Sequence, residues 1–244
     1  MVCSIRDSRQ KNTARRILVI RVSIIYHSQS GNVHQLAAAA AATAEKLGAQ
    51  TRLRKVPKLA NPRLLDEQAY ADLTATTADI SDATHEDLVW ADAIMIGTPV
   101  VFGLPAPELI HFINHSGLVS IPGKLMNKAV TVFTSGAGLH AGQETTILAV
   151  HNAVCHWGSL IVPNGSSVDI LTTEQNGGLP YGTCNSSWHK PNNVSDDNLA
   201  AIDYQTTRLV EVSTAYQIGL EQTTSSIEFT DISKLSKKYN FGLA

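Results

Sequence analysis

Apolar runs of strand length alternate along the chain with longer segments in which apolar residues recur at helical spacing. The first run, RVSIIYHS at 21–28, is rich in β-branched residues and predicts a buried strand. In residues 33–49 the small and apolar side chains share one face at helical spacing, and Gly48 marks the end of this predicted helix. Residues 50–56 then alternate with period two, as an outer strand does. The chain therefore begins with a strand–helix–strand unit.

The same alternation continues to residue 221. The later segments are predicted as a short helix ending near Trp90, strands at 91–99, 129–135 and 159–163, and helices at 107–117, 143–158 and 195–221. Two stretches do not fit the pattern. Residues 57–82 are predicted as a surface excursion with one turn of helix at 64–68, and residues 164–195 as a polar, glycine-bearing insert. We expect one domain over residues 17–221.

Strands that are each followed by a helix predict an α/β fold. The five strands form a doubly wound parallel sheet with helices on both faces, because crossover connections are right-handed. In such a sheet ligands bind outside the carboxyl ends of the strands, where the strand order reverses. The loops at these ends are HSQSGNV at 27–33, GTPVVFGLP at 97–105 and TSGAGLHAG at 134–142. All three contain glycine and no lysine, arginine or carboxylate, and together they are the predicted binding site.

Composition narrows the functional classes. With 244 residues, of which 43% are hydrophobic and 16% charged, the chain is typical of a globular protein with a sizeable core. The net charge of −2 argues against nucleic acid as a partner, and the apolar runs are too short to predict a membrane span. Cys3, Cys155 and Cys184 form no C-x-x-C pair, which argues against a disulfide framework or a structural metal site. We therefore expect a reducing, cytoplasmic environment.

The two ends of the chain differ from the predicted domain. Residues 1–16 contain five basic residues and one acidic residue, which is compatible with a transit-type segment, a disordered leader or an over-long start of the reading frame. Residues 222–244 form a polar tail whose role the sequence does not indicate. The predicted organisation is a leader, one domain and a tail.

The loop HSQSGNV has the composition of a phosphate cradle. It places Ser28, Ser30 and Gly31 where a strand ends and a helix begins, so backbone N–H groups and hydroxyls converge at the positive end of a helix dipole. The chain has neither a G-x-x-x-x-G-K-[ST] nor a G-x-G-x-x-G motif, which argues against a nucleotide triphosphate loop and a standard dinucleotide site. The alternative is a helix start that is merely capped by serine.

Five further motifs extend this loop into a family resemblance. The first loop resembles the flavodoxin fingerprint for the phosphate of FMN. In chain order it is followed by GTPVVFG, GKLMNKAVTVF, GQETTI, CHWGSLIVP and GGLPYGT, at 97–103, 123–133, 142–147, 155–163 and 177–183. Together these motifs look like the tryptophan-repressor-binding-protein (WrbA-type) family of NAD(P)H:quinone oxidoreductases, over residues 21–220.

The resemblance implies a flavodoxin-like fold, with the five strands in the order 2-1-3-4-5, and a homo-oligomeric flavoprotein, a dimer or tetramer. It implies that FMN is reduced by NADH or NADPH and that a quinone is then reduced by two electrons in a ping-pong cycle. It places the cofactor on these residues: Ser28, Gln29, Ser30, Gly31, Asn32 and Val33 for the phosphate, and Val100, Val101, Phe102, Ser135, Gly136, Gly138 and His140 for the isoalloxazine. His156 matches a histidine that in the family reaches a neighbouring ring, and it is the predicted catalytic residue.

The chain departs from the family pattern on the substrate side. The family commonly has an arginine where this chain has Val101, and an aromatic residue where it has Ser30. A second family aromatic falls near Val119 or Ser120. These changes remove a positive charge and two stacking surfaces, which puts the quinone in doubt more than the flavin.

Two other functional classes stay open at this point. A flavodoxin-like electron shuttle is disfavoured by the small net charge, because shuttles are usually strongly acidic. An interaction protein with weakened FMN binding is compatible with the departures described above. Individual histidines also have plain interpretations: His156 as a core residue beside Trp157, His111 and His115 as a surface pair, and His140 as either a solvated side chain or a proton donor to a quinone oxygen.

Overall fold

The computed structural model describes residues 18–60, 64, 66–169 and 178–228. Their strands are β1 (Arg21–Tyr26), β2 (Gln50–Lys55), β3 (Ala93–Val101), β4 (Leu104–Pro105), β5 (Ala129–Gly136), β6 (Leu160–Ile161), β7 (Gly178–Leu179) and β8 (Gly182–Ser186). Their helices are α1 (Asn32–Lys46), α2 (Glu67–Thr76), α3 (His85–Trp90), α4 (Pro107–Asn114), α5 (Gly117–Ser120), α6 (Gln143–Trp157) and α7 (Asp196–Glu221). The predicted leader at 1–16 and most of the tail lie outside the described residues.

A parallel sheet runs through the centre of the domain in the order β2-β1-β3-β5, and its fifth position is shared by two short strands. The first of these, β6, pairs with the start of β5 at Ala129, and β8 pairs with its end from Thr134 to Gly136. The predicted order 2-1-3-4-5 is confirmed, with the last position split in two. The remaining strands, β4 and β7, form antiparallel pairs with β3 and β8.

Two apolar clusters, one on each face of the sheet, explain why the strands are continuously apolar. Along β1, Ile24 contributes to the cluster under α1 and α7, whereas the next residue, Ile25, contributes to the cluster under α3, α4 and α6. A strand that is buried on both faces loses the alternating pattern of a half-exposed strand. Both residues are almost completely buried. The predicted doubly wound architecture is confirmed.

The helix at Glu67–Thr76 corrects the prediction for 57–82. The sequence indicated one turn of helix at 64–68, and the structure has ten residues of helix that begin later. Its N-cap is Asp66, whose carboxylate accepts a hydrogen bond from the N–H of Ala69 at 2.9 Å. Leu73 is the buried residue of this helix. The sequence therefore has no apolar stripe at helical spacing that could have predicted the helix.

The fifth strand and the insert at 164–195 are also corrected. The strand predicted at 159–163 is shorter, because Pro163 has no N–H to donate to a sheet. The sheet continues instead with β8, which lies inside the segment predicted as an irregular insert and is buried along its length. The insert therefore supplies part of the sheet edge next to the predicted binding loops. No helix in the described ranges is both long and apolar enough to cross a membrane.

The lowered pKa values of two histidines predict that acid destabilises the domain. Burial, together with the charge of Lys55, lowers the pKa of His34, and burial lowers the pKa of His151. Since the unfolded chain then binds more protons than the folded one, the free energy of unfolding falls as the pH drops below the ordinary histidine pKa of 6.5. Urea unfolding between about pH 7.5 and 5.5 measures this loss.

A variant of His151 separates its share of the acid effect. The Nε2 atom of this buried side chain makes no hydrogen bond, so His151→Phe removes a titrating group without removing a hydrogen bond. We expect the variant to lose less stability on acidification than the natural protein. An unchanged dependence on pH would show that His151 does not contribute.

Candidate functional site

A cavity of about 260 Å³ lies at the carboxyl ends of β1, β3 and β5, where the sequence predicts the site. Its walls come from three predicted loops and from two segments that the sequence did not indicate. They are formed by Ser28, Gln29, Ser30, Asn32, Val33, Asp66, Pro99, Val100, Ser135, Gly136, Ala137, Ser187, His189 and Pro191. The side chains are mostly small and uncharged, so the backbone lies close to the cavity.

The first wall presents the amino terminus of α1 to the cavity. The first amide-to-carbonyl bond of this helix runs from Gln35 to Gly31 at 2.9 Å, so the N–H groups before it have no acceptor within the helix. The N-cap is Gly31 in the left-handed conformation, and no side chain caps the helix. The interpretation of a serine-capped helix start is therefore wrong. The wall offers N–H groups and serine hydroxyls, which suit an anion.

Gly31 has a structural role in the first loop, and its contact with the FMN phosphate stays a prediction. A Cβ there would lie 1.8 Å from Oδ1 of Asn192. Gly31 does not line the cavity, because Asn192 occupies the adjoining space. The glycine instead allows a distant part of the chain to dock on the first loop.

That distant part is Ser187–Asn193, which we call the cover segment. At one end the N–H of Ser187 donates to the carbonyl of Gly136 at 2.8 Å, and at the other the N–H of Asn192 donates to the carbonyl of Ser30 at 2.9 Å. Asn32 adds a bond from Nδ2 to the carbonyl of Lys190 at 3.0 Å. This wall lies within the polar insert and has no apolar pattern, so no signal in the sequence indicates it.

The second loop contributes less than predicted. Val100 lines the cavity, but Val101 and Phe102 do not, and Phe102 is fully exposed with a positive φ of 52°. The turn at Gly103 packs against the third loop, since a Cβ on Gly142 would lie 2.7 Å from the Cα of Gly103. The predicted contacts of Val101 and Phe102 with the isoalloxazine stay predictions.

The third loop enters the cavity at its beginning. Ser135 and Gly136 line it, and the Ser135 hydroxyl donates to Oδ1 of Asn185 on β8 at 2.6 Å. Gly138 and His140 lie further along the loop, outside the lining. The His140 side chain is 79% exposed and its Nδ1 lies 2.9 Å from Oε1 of Glu144. Its solvated interpretation describes this structure, and its contact with FMN stays a prediction.

His156 lies far from the cavity within one chain. It is 13 residues after Gln143, the first residue of α6, which corresponds to about 20 Å along the helix. It is exposed near the amino end of β5, whereas its neighbour Trp157 is buried and donates to the Ser116 hydroxyl at 2.9 Å. The interpretation of His156 as a core histidine is therefore wrong. A role beside FMN requires that another copy of the chain bring it there.

A buried pair that the sequence did not indicate lies behind the cradle. Nε2 of His27, the residue before Ser28, is 3.5 Å from Oε2 of Glu108 at the start of α4, and both side chains are almost fully buried. Burial lowers the pKa of His27, and the nearby carboxylate of Glu108 opposes this shift. The pair is distant in sequence, so no local motif could have shown it.

The other histidines do not form a chemical centre. The rings of His111 and His115 lie 4.3 Å apart on the exposed face of α4 and the turn after it, as the surface-pair interpretation predicts. Within the described ranges no three His, Cys, Asp or Glu side chains are placed to hold a metal ion. Among the described residues, the cavity is therefore the candidate functional site.

Comparison with known proteins identifies the family of the chain. The sequence pattern of the NADPH-dependent FMN reductase family matches residues 17–172. A NAD(P)H dehydrogenase (quinone) from Geobacter sulfurreducens is 34% identical over 190 residues, covering 76% of this chain and 94% of the relative. One from Deinococcus radiodurans is 31% identical over 195 residues, covering 80% and 96%. A solved structure, the flavodoxin, WrbA-like protein from Agrobacterium tumefaciens, matches the fold with a TM-score of 0.54 at 21% identity, over 81% of this chain and 99% of that one.

Proposed function

Because the chain belongs to the NADPH-dependent FMN reductase family, we propose that it is an FMN-dependent NAD(P)H:quinone oxidoreductase. The observation that carries this proposal is the cavity at the carboxyl ends of the sheet, where the amino terminus of α1 meets the loops after β3 and β5. The relatives at 34% and 31% identity are both named as NAD(P)H dehydrogenases (quinone), which supports the activity.

The residues of the cavity fit FMN. Donors suited to the phosphate are the N–H groups at the start of α1 and the hydroxyls of Ser28 and Ser30. The isoalloxazine would lie toward Val100 and Ser135, where the lining is small enough for a flat ring to approach the backbone. The chemistry that FMN supplies is the acceptance of a hydride from NADH or NADPH and its delivery to a quinone. The chain's own residues would bind and orient FMN and partly exclude water from it.

Finer parts of the proposal depend on association of the chain. His156 is placed to reach FMN only if a second copy contributes it, so we propose a homodimer or homotetramer in which α6 faces a neighbour. Support comes from the exposed apolar side chains Leu148, on the same helix, and Leu160, just beyond it. We also propose that the protein works in the cytoplasm, because its cysteines are widely spaced and form no C-x-x-C pair, as is typical of a reducing compartment.

A single preparation tests the function. We expect purified protein to bind FMN with a perturbed visible spectrum, to oxidise NADH or NADPH, and to do so faster when benzoquinone is added. A ping-pong cycle predicts parallel lines in double-reciprocal plots, since donor and acceptor would use the same exposed ring face. A reaction mixture without any flavin is the control for background oxidation of NADH or NADPH.

Each alternative function has its own result in that experiment. Flavin that binds but is not reduced by NADH or NADPH would favour the electron shuttle. A protein that does not bind FMN would be left with the interaction role, and the proposed enzyme activity would be wrong. Oxidation of the nicotinamide that benzoquinone does not accelerate would contradict the quinone as acceptor.

A further inference from the structure

Two titratable side chains face the proposed FMN cavity. Among the described residues that line it, His189 and Asp66 can carry charge and all the others are neutral. Asp66 comes from the start of α2 and His189 from the cover segment, so they approach from different elements. Among the described residues, the charge of the cavity lining therefore depends on one histidine and one carboxylate.

The cover segment holds His189 between the two cofactor loops. Its first residue, Ser187, is bonded to Gly136 at the third loop, and Asn192 is bonded to Ser30 in the phosphate cradle. His189 lies between these two attachment points and contributes to the cavity wall. Its backbone is thus tied to both loops, whereas its imidazole is exposed and able to meet a ligand.

The backbone of this segment is strained where it passes the cavity. Trp188 and His189 have φ of 51° and 58°, the left-handed region that few residues other than glycine adopt. Two such residues in succession persist only when surrounding contacts impose them, and they cluster at ligand clamps. The bonds from Ser187 and Asn192 are those contacts. The strain gives His189 a defined position at the cavity instead of a freely moving one.

We propose that protonated His189 is the cationic partner of the FMN phosphate and that Asp66 opposes it. This inference rests on the proposed binding of FMN. The cradle offers N–H groups and hydroxyls but no lysine or arginine, and a phosphate monoester carries a charge near −2 at neutral pH. Because only the protonated imidazole is a cation, we expect FMN to bind more tightly near pH 6.5 than near pH 8.5, where the phosphate stays charged throughout.

The test compares FMN and riboflavin binding in two forms of the full chain. His189→Asn removes the charge and keeps a residue that tolerates the left-handed backbone. We expect the variant to bind FMN about fivefold more weakly than the natural protein near pH 6.5 and equally near pH 8.5. Riboflavin, which lacks the phosphate, should bind both forms alike. Quenching of flavin fluorescence measures the dissociation constants of both flavins for both forms at each pH.

Asp66→Asn provides the opposite change. Asparagine caps a helix as well as aspartate does, so α2 keeps its hydrogen bond from the N–H of Ala69 while the charge is lost. We expect FMN to bind about threefold more tightly to this variant, and riboflavin to bind unchanged. His111→Gln, on the exposed face of α4, is the matched histidine control and should leave FMN binding at both pH values unchanged.

The outcomes distinguish this inference from the proposed function. Natural protein that binds neither flavin would overturn the function itself. FMN binding that is equal in natural protein and His189→Asn near pH 6.5 would overturn the role of His189 alone. A loss that appears equally with riboflavin would also overturn it, because the contact would then be made to the ring system. Thermal unfolding of each variant verifies that the fold is retained.

Discussion

Replacing Gly31 with alanine is expected to lower the affinity for FMN by at least about tenfold and to destabilise the domain by about 3 kcal/mol. At φ of 88° the alanine is strained by about 1–2 kcal/mol, and its Cβ would lie 1.8 Å from Oδ1 of Asn192. The clash displaces Asn192, whose N–H bonds to the carbonyl of Ser30. The cover segment then separates from the phosphate cradle. Flavin titration and urea unfolding measure the two effects.

Gly48 provides a matched control for this substitution. It follows α1 at φ of 84°, and a Cβ there would meet no atom within 4 Å. Gly48→Ala therefore adds the backbone strain without the clash, and we expect a loss of about 1 kcal/mol with unchanged FMN affinity. Equal effects of the two substitutions on FMN binding would show that docking of the cover segment does not shape the site.

The sheet could be predicted because its signals are local. Ile24 and Ile25 belong to one short apolar run, and their burial on opposite faces follows from the strand period alone. The right-handed crossover then determines at which edge the loops meet. Eight of the cofactor residues that the resemblance implies line the cavity, namely Ser28, Gln29, Ser30, Asn32, Val33, Val100, Ser135 and Gly136.

The rest of the site depends on contacts between distant parts of the chain. Asn32 and Lys190 are separated by 158 positions, yet a hydrogen bond joins them and closes the cavity. The cover segment lines the cavity with Ser187, His189 and Pro191. Polar residues and proline are common in surface loops of every kind. No periodicity or spacing could identify them, because their position is set by the partner and not by their neighbours in sequence.

For His156 the family resemblance indicated a role that the fold of a single chain does not reproduce. The family resemblance placed it beside a flavin, but the folded single chain puts it near the amino end of β5, away from the cavity. A resemblance transfers roles that can depend on an assembly, whereas the fold of one chain shows only what that chain brings together.

The short strand β8 was not predicted because its sequence, GTCNS, is mostly polar, and Cys184 is its one member of an apolar cluster. Gln205 on α7 is almost fully buried; its Oε1 accepts from the N–H of Thr183 at 2.8 Å. Its Nε2 donates to the Thr131 hydroxyl at 2.6 Å and to the carbonyl of Val132 at 2.8 Å. One amide therefore joins α7 to β8 and β5, at the edge where Asn185 positions Ser135 in the cavity.

Gln205→Leu is expected to destabilise the domain by about 3 kcal/mol, because buried polar groups of β5 and β8 lose their partner while the volume stays similar. Denaturant unfolding measures this loss. We also expect weaker FMN binding, since Asn185 on β8 accepts a hydrogen bond from Ser135. Gln217→Leu, at a half-buried position of the same helix, should change stability by less than about 0.5 kcal/mol. If the two variants are equally stable, apolar packing rather than the Gln205 amide holds β8 against the sheet.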